Sequence, residues 1–253
     1  MSLNIWHGYL MPAALQFLKE QAADIVLLQE VNNGTDPSFT ENLRAFEVLK
    51  ERLDYPYADF APAVINRLEA GKIQEGNAVL SRFPILGHDV HFLSGELSEH
   101  PYDPALAPAW PRNLQHVALD ANGSEINVFN FQGVWDLDGD NFSEQRRRMS
   151  DTIIEQVKNK PHVILAGDTN AKPTNPAMRA IEEHLTSVFG NSLTTTFNMQ
   201  RKDNPGYATA AVDLMYVSND LRVTGKTCLD VDISDHLPLV VTLETTNPTK
   251  EKE

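Results

Sequence analysis

Acidic and amide side chains recur at the ends of apolar stretches along this 253-residue chain. They are Asn4 in the first apolar segment, Glu30 after residues 25–29, Asp168 and Asn170 after residues 163–167, Asp213 at the start of 213–217, and Asp235 with His236 before residues 237–239. Carboxylates at the mouth of an apolar sheet are unfavourable unless they are solvated, paired or bound to a metal. Grouped carboxylates raise one another's pKa values, and a divalent cation relieves that repulsion.

Each of these residues taken alone has an ordinary explanation. Asp168-Thr169-Asn170 fits an Asx turn, and Asp235-His236 fits a surface pair before a proline. The functional interpretation therefore depends on the complete set and on its order along the chain.

The set resembles the endonuclease/exonuclease/phosphatase superfamily of metal-dependent phosphoesterases. The matching blocks, in the family's order, are Asn4, Gln29-Glu30, the segment 76–85 (GNAVLSRFPI), Gly167-Asp168-Thr169-Asn170, Asp213 and Ser234-Asp235-His236. The resemblance covers nearly the whole chain and implies a hydrolase of phosphoester bonds, a phosphodiesterase or a phosphatase.

The metal and the general base follow from the same resemblance. Glu30 is the expected ligand of Mg²⁺, with Mn²⁺ as the alternative, because Mg²⁺ prefers hard oxygen ligands. Asp235 is expected to assist this metal or a second one. Asp168 would orient and deprotonate the attacking water, and Asn170 would fix Asp168 and that water.

Three further residues are expected to contact the phosphate or to support those that do. Asn4 would donate a hydrogen bond to the phosphate or support Glu30. His236 would donate to a non-bridging phosphoryl oxygen, while Asp213 holds its tautomer and favours its charged form.

Gln132 departs from the family pattern, because many members carry a histidine at this position and some nucleases a tyrosine. A neutral amide can donate a hydrogen bond to a phosphoryl oxygen, but it supplies neither a proton nor a charge. Loss of one such stabiliser can reduce the rate on the order of 10²-fold. Three alternatives stay open: an altered mechanism, an altered substrate, or an engineered or decayed site. A decayed site would make the protein a weakened family member that acts as a binding protein.

The acidic composition guides the expected substrate. The chain carries 35 acidic against 21 basic residues, a formal charge of −14, which opposes broad adhesion to nucleic acid or to anionic membranes. A phosphorylated small molecule, such as a lipid or sugar phosphate, is favoured. An endonuclease or exonuclease acting on short nucleic acid is the alternative, as is an enzyme like the 5′-tyrosyl-DNA phosphodiesterases, which Gly-Asp-Thr-Asn resembles.

Aromatic and basic residues outside the motifs give weaker indications. Trp135, Tyr207 and Trp110, the last in a proline-rich segment over residues 95–112, are candidates for a substrate-binding rim. Arg146-Arg147-Arg148 point in different directions on a predicted helix and are expected to form a solvated face. The seven histidines other than His236, including His7, are expected to be structural or surface residues.

The elements that must position these groups are mixed strands and helices. Helical periodicity predicts helices over 12–23 and 39–53, a third after Ser143 as N-cap, and a fourth after Asn175. Apolar runs predict strands over residues 3–6, 24–31, 77–81, 113–119, 126–131, 162–166, 212–217 and 237–243. The fold class is α/β (α+β), a four-layer αββα sandwich in which two packed mixed β-sheets are flanked by helices.

One domain is expected over residues 1–244, followed by a polar C-terminal tail over 245–253. The lone Cys228 cannot form an intramolecular disulfide, and no apolar run approaches the roughly 18 residues of a membrane span. We expect a monomer. If Met1 is the native start, the absence of a basic residue before Lys19 argues against a signal peptide and predicts a cytoplasmic protein.

Overall fold

The computed structural model describes residues 1–136 and 141–246. Within these ranges the backbone forms thirteen strands and four α-helices. The strands are β1 (Ser2–Asn4), β2 (Ile25–Asn33), β3 (Tyr57–Leu68), β4 (Gly71–Ser81), β5 (Ile85–Ser94), β6 (Ser98–Pro101), β7 (Arg112–Ala121), β8 (Ser124–Gln132), β9 (Val163–Asp168), β10 (Thr186–Ser187), β11 (Asp213–Val217), β12 (Leu221–Cys228) and β13 (Leu239–Thr245). The helices are α1 (Met11–Gln21), α2 (Ala45–Arg52), α3 (Glu144–Val157) and α4 (Pro176–Glu182).

Two mixed sheets lie face to face between the helices. The first has the order β12-β13-β1-β2-β4-β3-β6, and the second has the order β10-β11-β9-β8-β7-β5. Apolar residues of α1 and α2 pack on the outer face of the first sheet, and those of α3 and α4 pack on the outer face of the second. This arrangement confirms the predicted four-layer sandwich. In it, each helix and each sheet buries its apolar face.

A polar cluster joins the two sheets just below the edge where the acidic motifs emerge. Gln29 on β2 donates through Nε2 to Asn130 Oδ1 on β8 at 2.6 Å. Asn130 Nδ2 in turn donates to the backbone oxygens of Leu28 at 2.9 Å and Ala78 at 3.0 Å. All these groups are buried, so each bond satisfies a polar atom that would otherwise be costly. The cluster fixes β2 against β8 and so sets the spacing between Glu30 and Gln132.

The predicted helix caps of α3 and α4 are present. Ser143 accepts a hydrogen bond from Arg146 N, and Asn175 accepts one from Ala177 N ahead of Pro176. The helix predicted over 39–53 is wrong at its start. A short 3₁₀ helix, Glu41–Arg44, precedes α2, and Asp36 accepts bonds from Ser38 that turn the chain before Phe39. The predicted helix over 12–23 is α1, which ends at Gln21 because Ala22 adopts a left-handed conformation.

Five strands were not predicted: β3, β5, β6, β10 and β12. β3 contains Pro62 at an irregularity in its pairing with β4, and β5 lies at an exposed sheet edge, where Leu93 is its one buried residue. Periodicity weakens in such strands, because less of their surface is buried.

The predicted tail boundary falls slightly early. Thr245 is the last residue of β13, and Thr246 N donates to Asp220 O at 2.9 Å. Residues 247–253 of that tail lie outside the described residues. Among the described residues, no helix combines the length and the apolar character needed to cross a bilayer.

Candidate functional site

One edge of the sandwich gathers the strand ends that carry the motifs. β8 and β9 run parallel and place Gln132 beside Asp168, while β11 runs antiparallel to β9 and places Asp213 on its other side. A cavity of about 160 Å³ opens there. Nine of the eleven predicted site residues line it: Glu30, Gln132, Asp168, Asn170, Asp235, His236, Trp110, Trp135 and Tyr207. The other two, Asn4 and Asp213, lie behind this lining and are hydrogen-bonded to it.

Two glycines permit the close approach of β8 and β9 at this edge. A Cβ atom on Gly167 would lie 1.8 Å from the backbone oxygen of Phe131. A Cβ on Gly133 would lie 2.1 Å from the backbone oxygen of Thr169. Neither position accepts a side chain without moving backbone, so these glycines are part of how Asp168 reaches the cavity.

Glu30 owes its direction to a local break in the sheet. The pairing of β2 with β4 is irregular between Leu28 and Val31, and Glu30 has a φ of 54°. A β-bulge of this kind re-aims a side chain, and the unusual backbone persists only where neighbours hold it. Those neighbours are present, because Oε1 of Glu30 accepts hydrogen bonds from Asn4 Nδ2 at 2.9 Å and Gln132 Nε2 at 2.8 Å.

Asp168 is buried and held on both oxygens. Its Oδ2 accepts from Asn4 Nδ2 at 3.1 Å, and its Oδ1 accepts from the backbone N–H of Asn170 at 3.0 Å. Burial raises the pKa of Asp168 to about 6; His236 opposes this rise, while Asp213 and Glu30 add to it. The carboxyl group is therefore poised near neutrality, where a proton acceptor works efficiently.

His236 forms a buried polar pair with Asp213. Its Nδ1 lies 2.8 Å from Asp213 Oδ2, with both side chains buried. Burial disfavours the charged imidazole, but the carboxylates of Asp213, Asp168 and Asp235 outweigh it and raise the pKa of His236 to about 10. At neutral pH the ring is therefore an imidazolium that donates at both nitrogens.

Asp235 already has a cationic partner within the chain. Lys202 Nζ lies 2.5 Å from Asp235 Oδ2. The same ammonium lies 5.3 Å from the ring centroid of Phe197 and 5.4 Å from that of Tyr207. These rings and the carboxylate hold the lysine at the cavity wall.

The aromatic rim is only partly exposed. Trp135 is 44% exposed, whereas Trp110 is 5% exposed and lies within the wall of the cavity. Tyr207 packs against Phe197 with ring centroids 4.4 Å apart. Of the three residues predicted at the rim, Trp135 therefore offers the most surface to a ligand.

Six further residues lining the cavity were not predicted, and four of them are ionisable: His7, Glu75, Arg112 and Lys202. His7, which we expected to be a structural or surface residue, lies in this wall: its Nε2 is 3.3 Å from Glu30 Oε2 and its Nδ1 is 3.7 Å from Glu75 Oε2. Burial lowers the pKa of His7, but Glu75 and Glu30 outweigh it and raise the pKa overall. His7 follows Asn4 by three residues, and Glu75 immediately precedes the 76–85 motif. Their closeness in the sequence to motif residues was the signal by which His7 and Glu75 could have been found.

The expected solvated face at residues 146–148 also needs correction. Arg147 and Arg148 are exposed and pair with Glu144, but Arg146 is only 1% exposed. Its Nη2 donates to the backbone oxygen of Asn170 at 2.6 Å. Arg146 therefore supports the loop that follows Asp168.

The comparison with protein families agrees with this geometry. The model of the Endonuclease/Exonuclease/phosphatase family matches residues 1–236. The chain belongs to this family. It is accordingly a hydrolase of phosphoester bonds, and members of the Endonuclease/Exonuclease/phosphatase family are generally dependent on divalent metals.

Solved structures share the fold at low sequence identity. An endonuclease/exonuclease/phosphatase from Beutenbergia cavernae DSM 12333 has a TM-score of 0.72 at 21% identity, over 96% of this chain and 70% of that chain. A mannosyl-6-phosphatase from Bacteroides thetaiotaomicron VPI-5482 has a TM-score of 0.67 at 19% identity, over 96% and 98%. TDP2 from D. rerio, complexed with a single-strand DNA product, has a TM-score of 0.67 at 16% identity, over 96% and 97%. No curated protein matches the sequence.

The donor set of the cavity suits the divalent cation on which the Endonuclease/Exonuclease/phosphatase family depends. One oxygen each of Asp168 and Asp213 and one ring nitrogen of His236 lie within 4.8 Å of one another, and with His236 protonated the two carboxylates are the groups of this cluster that can bind a cation. Oδ1 of Asp213 is buried and has no hydrogen-bond partner among the described residues. Burial also raises the pKa of Glu75, with His7 opposing and Glu30 adding to the rise. Crowded carboxylates with raised pKa values are the condition that a bound cation relieves.

Proposed function

We propose that this protein is a Mg²⁺-dependent phosphoesterase that hydrolyses small phosphorylated molecules. The observation that carries the proposal is the convergence of Asn4, Glu30, Asp168 and the Asp213–His236 pair on one small cavity. A proton acceptor, an imidazolium donor and hard oxygen ligands are thereby brought together. This is the minimum set for aiming water at phosphorus and stabilising the charge that develops.

Glu30 and Asp235 are the residues that we assign to the metal. Their oxygens suit Mg²⁺ or Mn²⁺, whereas a protonated His236 has no free lone pair for a metal. Bound there, the cation would neutralise negative charge on the phosphoryl oxygens. Asn4 and Gln132, which both donate to Glu30 Oε1, would keep that carboxylate in position.

Asp168 is assigned as the general base. It would take a proton from the attacking water as the water oxygen bonds to phosphorus and the ester P–O bond breaks. Asn170 orients Asp168 through its backbone N–H, and its own Nδ2 donates to Gly133 O at 3.0 Å. His236 would donate from Nε2 to a phosphoryl oxygen, while Asp213 accepts from Nδ1.

Surface charge next to the cavity supports a small substrate over nucleic acid. An open groove of about 980 Å³ adjoins the cavity through Trp110 and Trp135. Its described lining includes three acids, Asp136, Glu144 and Asp151, but only one base, Arg148. A polyanionic strand in this groove would meet net negative charge.

The decisive experiment is a hydrolysis screen of mono- and diesters of phosphate, with Mg²⁺, with Mn²⁺ and with a chelator. We expect turnover that the chelator abolishes and that Glu30→Ala reduces by ~10²-fold or more, because the variant lacks a metal ligand. Glu69→Ala is the matched control and should retain activity, because Glu69 is exposed at the β3–β4 turn and does not line the cavity. Turnover that is unaffected by the chelator would contradict the proposal.

The same screen separates the two alternatives. A nuclease should bind a short oligonucleotide at low salt, with an affinity that falls as salt rises; no binding at low salt excludes this alternative. A weakened binding protein should gain metal-dependent hydrolysis only in Gln132→His. Robust wild-type turnover that Glu30→Ala abolishes excludes that second alternative.

A further inference from the structure

Arg112 is a buried cation without a carboxylate partner. It is the first residue of β7, it is 6% exposed, and its side chain lines the cavity. Among the described residues, no acidic group lies within ion-pair distance of its guanidinium. Its bonds go to backbone oxygens instead, from Nη2 to Ala107 at 3.1 Å and from Nη1 to Pro111 at 3.5 Å. Its Nε has no partner among the described residues.

Burial without a partner is costly for an arginine, which remains charged in proteins. Removing a guanidinium from water is repaid only by a paired anion and by satisfied N–H groups. Two hydrogen bonds to uncharged backbone carbonyls do not neutralise the charge. The cluster of acids on the other cavity walls, Glu30, Glu75 and Asp168, acts on Arg112 only through space. This is the expected state of a side chain whose anion arrives with the substrate.

Trp110, two residues earlier, repeats the pattern. It is 5% exposed and lines the same cavity, and its indole Nε1 is a buried donor without a partner among the described residues. Buried donors are almost always hydrogen-bonded in folded proteins, so each exception calls for an explanation. A ligand rich in acceptor oxygens would satisfy both donors, although both nitrogens have almost no exposed surface in this structure and the cavity wall must shift to admit it.

We propose that Arg112, together with the indole N–H of Trp110, binds the terminal phosphoryl group of a phosphate monoester. This assignment rests on the proposed function and narrows it from phosphoesterase to phosphomonoesterase. A monoester near neutral pH carries up to two negative charges on three non-bridging oxygens, whereas a diester carries one charge on two. The Arg112 guanidinium can pair with the extra negative charge of the monoester and donate hydrogen bonds to its extra oxygen.

The size of the cavity agrees with this ligand. Its volume of about 160 Å³ is below the roughly 300–1,000 Å³ of pockets that hold drug-sized ligands. A phosphoryl group with the first atoms of its ester fills that space. The remainder of the substrate would extend past Trp135 into the adjoining groove, which the same two tryptophans border.

The test compares two esters with one leaving group, 4-nitrophenyl phosphate and methyl 4-nitrophenyl phosphate, in the Mg²⁺-loaded enzyme. Arg112→Met keeps the length and apolar stem of the side chain but removes the charge. We expect kcat/KM for the monoester to fall ~10²-fold or more, while kcat/KM for the diester falls less than ~5-fold. Arg222→Met is the control and should change neither value. Arg222 is an exposed residue of β12 that pairs with Glu244 on β13.

Calorimetric binding of orthophosphate gives a readout that does not depend on turnover. Arg112→Met should weaken phosphate binding by ~10-fold or more, and Trp110→Phe, which removes only the N–H, by ~3-fold or more. Trp110→Phe also tests the site if Arg112→Met fails to fold. Arg112→Lys should fall between wild type and Arg112→Met, because it keeps the charge without the planar fork.

Distinct results would overturn the proposal. If Arg112→Met reduces both esterase activities equally and leaves phosphate affinity unchanged, Arg112 only clamps the backbone at Ala107 and Pro111. A wild type that prefers the diester refutes monoester recognition, although the phosphoesterase assignment stands. A protein that cleaves neither ester but loses phosphate binding in Arg112→Met contradicts the proposed function and supports the anion site. Absence of phosphate binding in wild type overturns the anion site whatever the hydrolysis result.

Discussion

The His236–Asp213 pair gives the sharpest test of the site's electrostatics. In the wild type, the pKa of His236 is raised to about 10 against the opposing effect of burial, with Asp213 as the largest favourable contribution. Asp213→Asn keeps the size of the side chain but removes the charge that lies 2.8 Å from Nδ1. The substitution should therefore lower the pKa of His236.

The size of the effect follows from the strength of a charged hydrogen bond. Such a bond is worth about 1.5–3 kcal/mol, which corresponds to a fall of about 1–2 in the pKa of His236. Asp168 and Asp235 remain and keep part of the shift. Activity that needs the imidazolium should thus decline with rising pH near pH 8–9 in the variant, compared with about pH 10 in the wild type. The plateau rate should also fall ~10²- to 10⁴-fold, because the amide that replaces the Asp213 carboxylate no longer holds the required tautomer.

Two measurements check this prediction. The first is the pH dependence of kcat/KM between pH 5 and 11, and the second is an NMR titration of the labelled His236 ring. Asp89→Asn is the matched control, because Asp89 Oδ2 lies 3.6 Å from His116 Nδ1 at a sheet edge away from the cavity. It should leave both titrations unchanged.

The same pair predicts how stability depends on pH. A histidine whose pKa is raised on folding contributes stability that is complete below its unfolded pKa of about 6.5 and is lost as pH rises through about 10. Asp213→Asn should therefore destabilise the protein more at pH 7 than at pH 10.5, as measured by denaturant unfolding. An unchanged basic limb together with an unchanged His236 titration would refute the reasoning.

Three further predictions concern other parts of the site. Gly167→Ala should lower the free energy of unfolding by about 3 kcal/mol or more, measured by chemical denaturation, because its Cβ would lie 1.8 Å from Phe131 O; a loss below about 1 kcal/mol would show that β8 and β9 separate easily. Lys202→Met should tighten Mn²⁺ binding in calorimetry, because the ammonium 2.5 Å from Asp235 competes with a metal for that carboxylate. Unchanged affinity would show that Asp235 is not a ligand of the metal. Divalent-cation binding at pH 6 should release roughly half a proton or more, because Asp168 with a pKa of about 6 is then about half protonated. Calorimetry in buffers of different ionisation enthalpy measures the number of protons released. If no proton is released, the metal does not bind near Asp168.

Gln132 illustrates how the structure changes a question that the sequence raised. The sequence marks it as a departure from a family pattern in which histidine is common. In the structure its Nε2 donates to Glu30 Oε1 at 2.8 Å. Gln132 belongs to the second sheet and Glu30 to the first, so this hydrogen bond joins the two sheets. A neutral amide at this position holds a carboxylate without protonating it. The structure thus gives Gln132 a positioning contact that its residue type alone does not specify.

The sequence by itself determined the family, the layered fold and the motif residues at the strand ends. Those features are local, because an apolar run, its terminal acid and a helix cap such as Ser143 all lie within a few residues. Strand β5 and the start of α2 escaped prediction because exposed edges and Asx turns leave little periodicity.

Only the tertiary structure brought in the groups that give the cavity its charge balance. Lys202 meets Asp235 from 33 residues away in the chain, and Arg112 faces acids contributed by β2, β4 and β9. The burial of Arg146 beneath Asn170 is likewise a contact between distant segments. Burial and through-space charge depend on which segments the fold brings together, and a pattern read along one strand or helix contains neither.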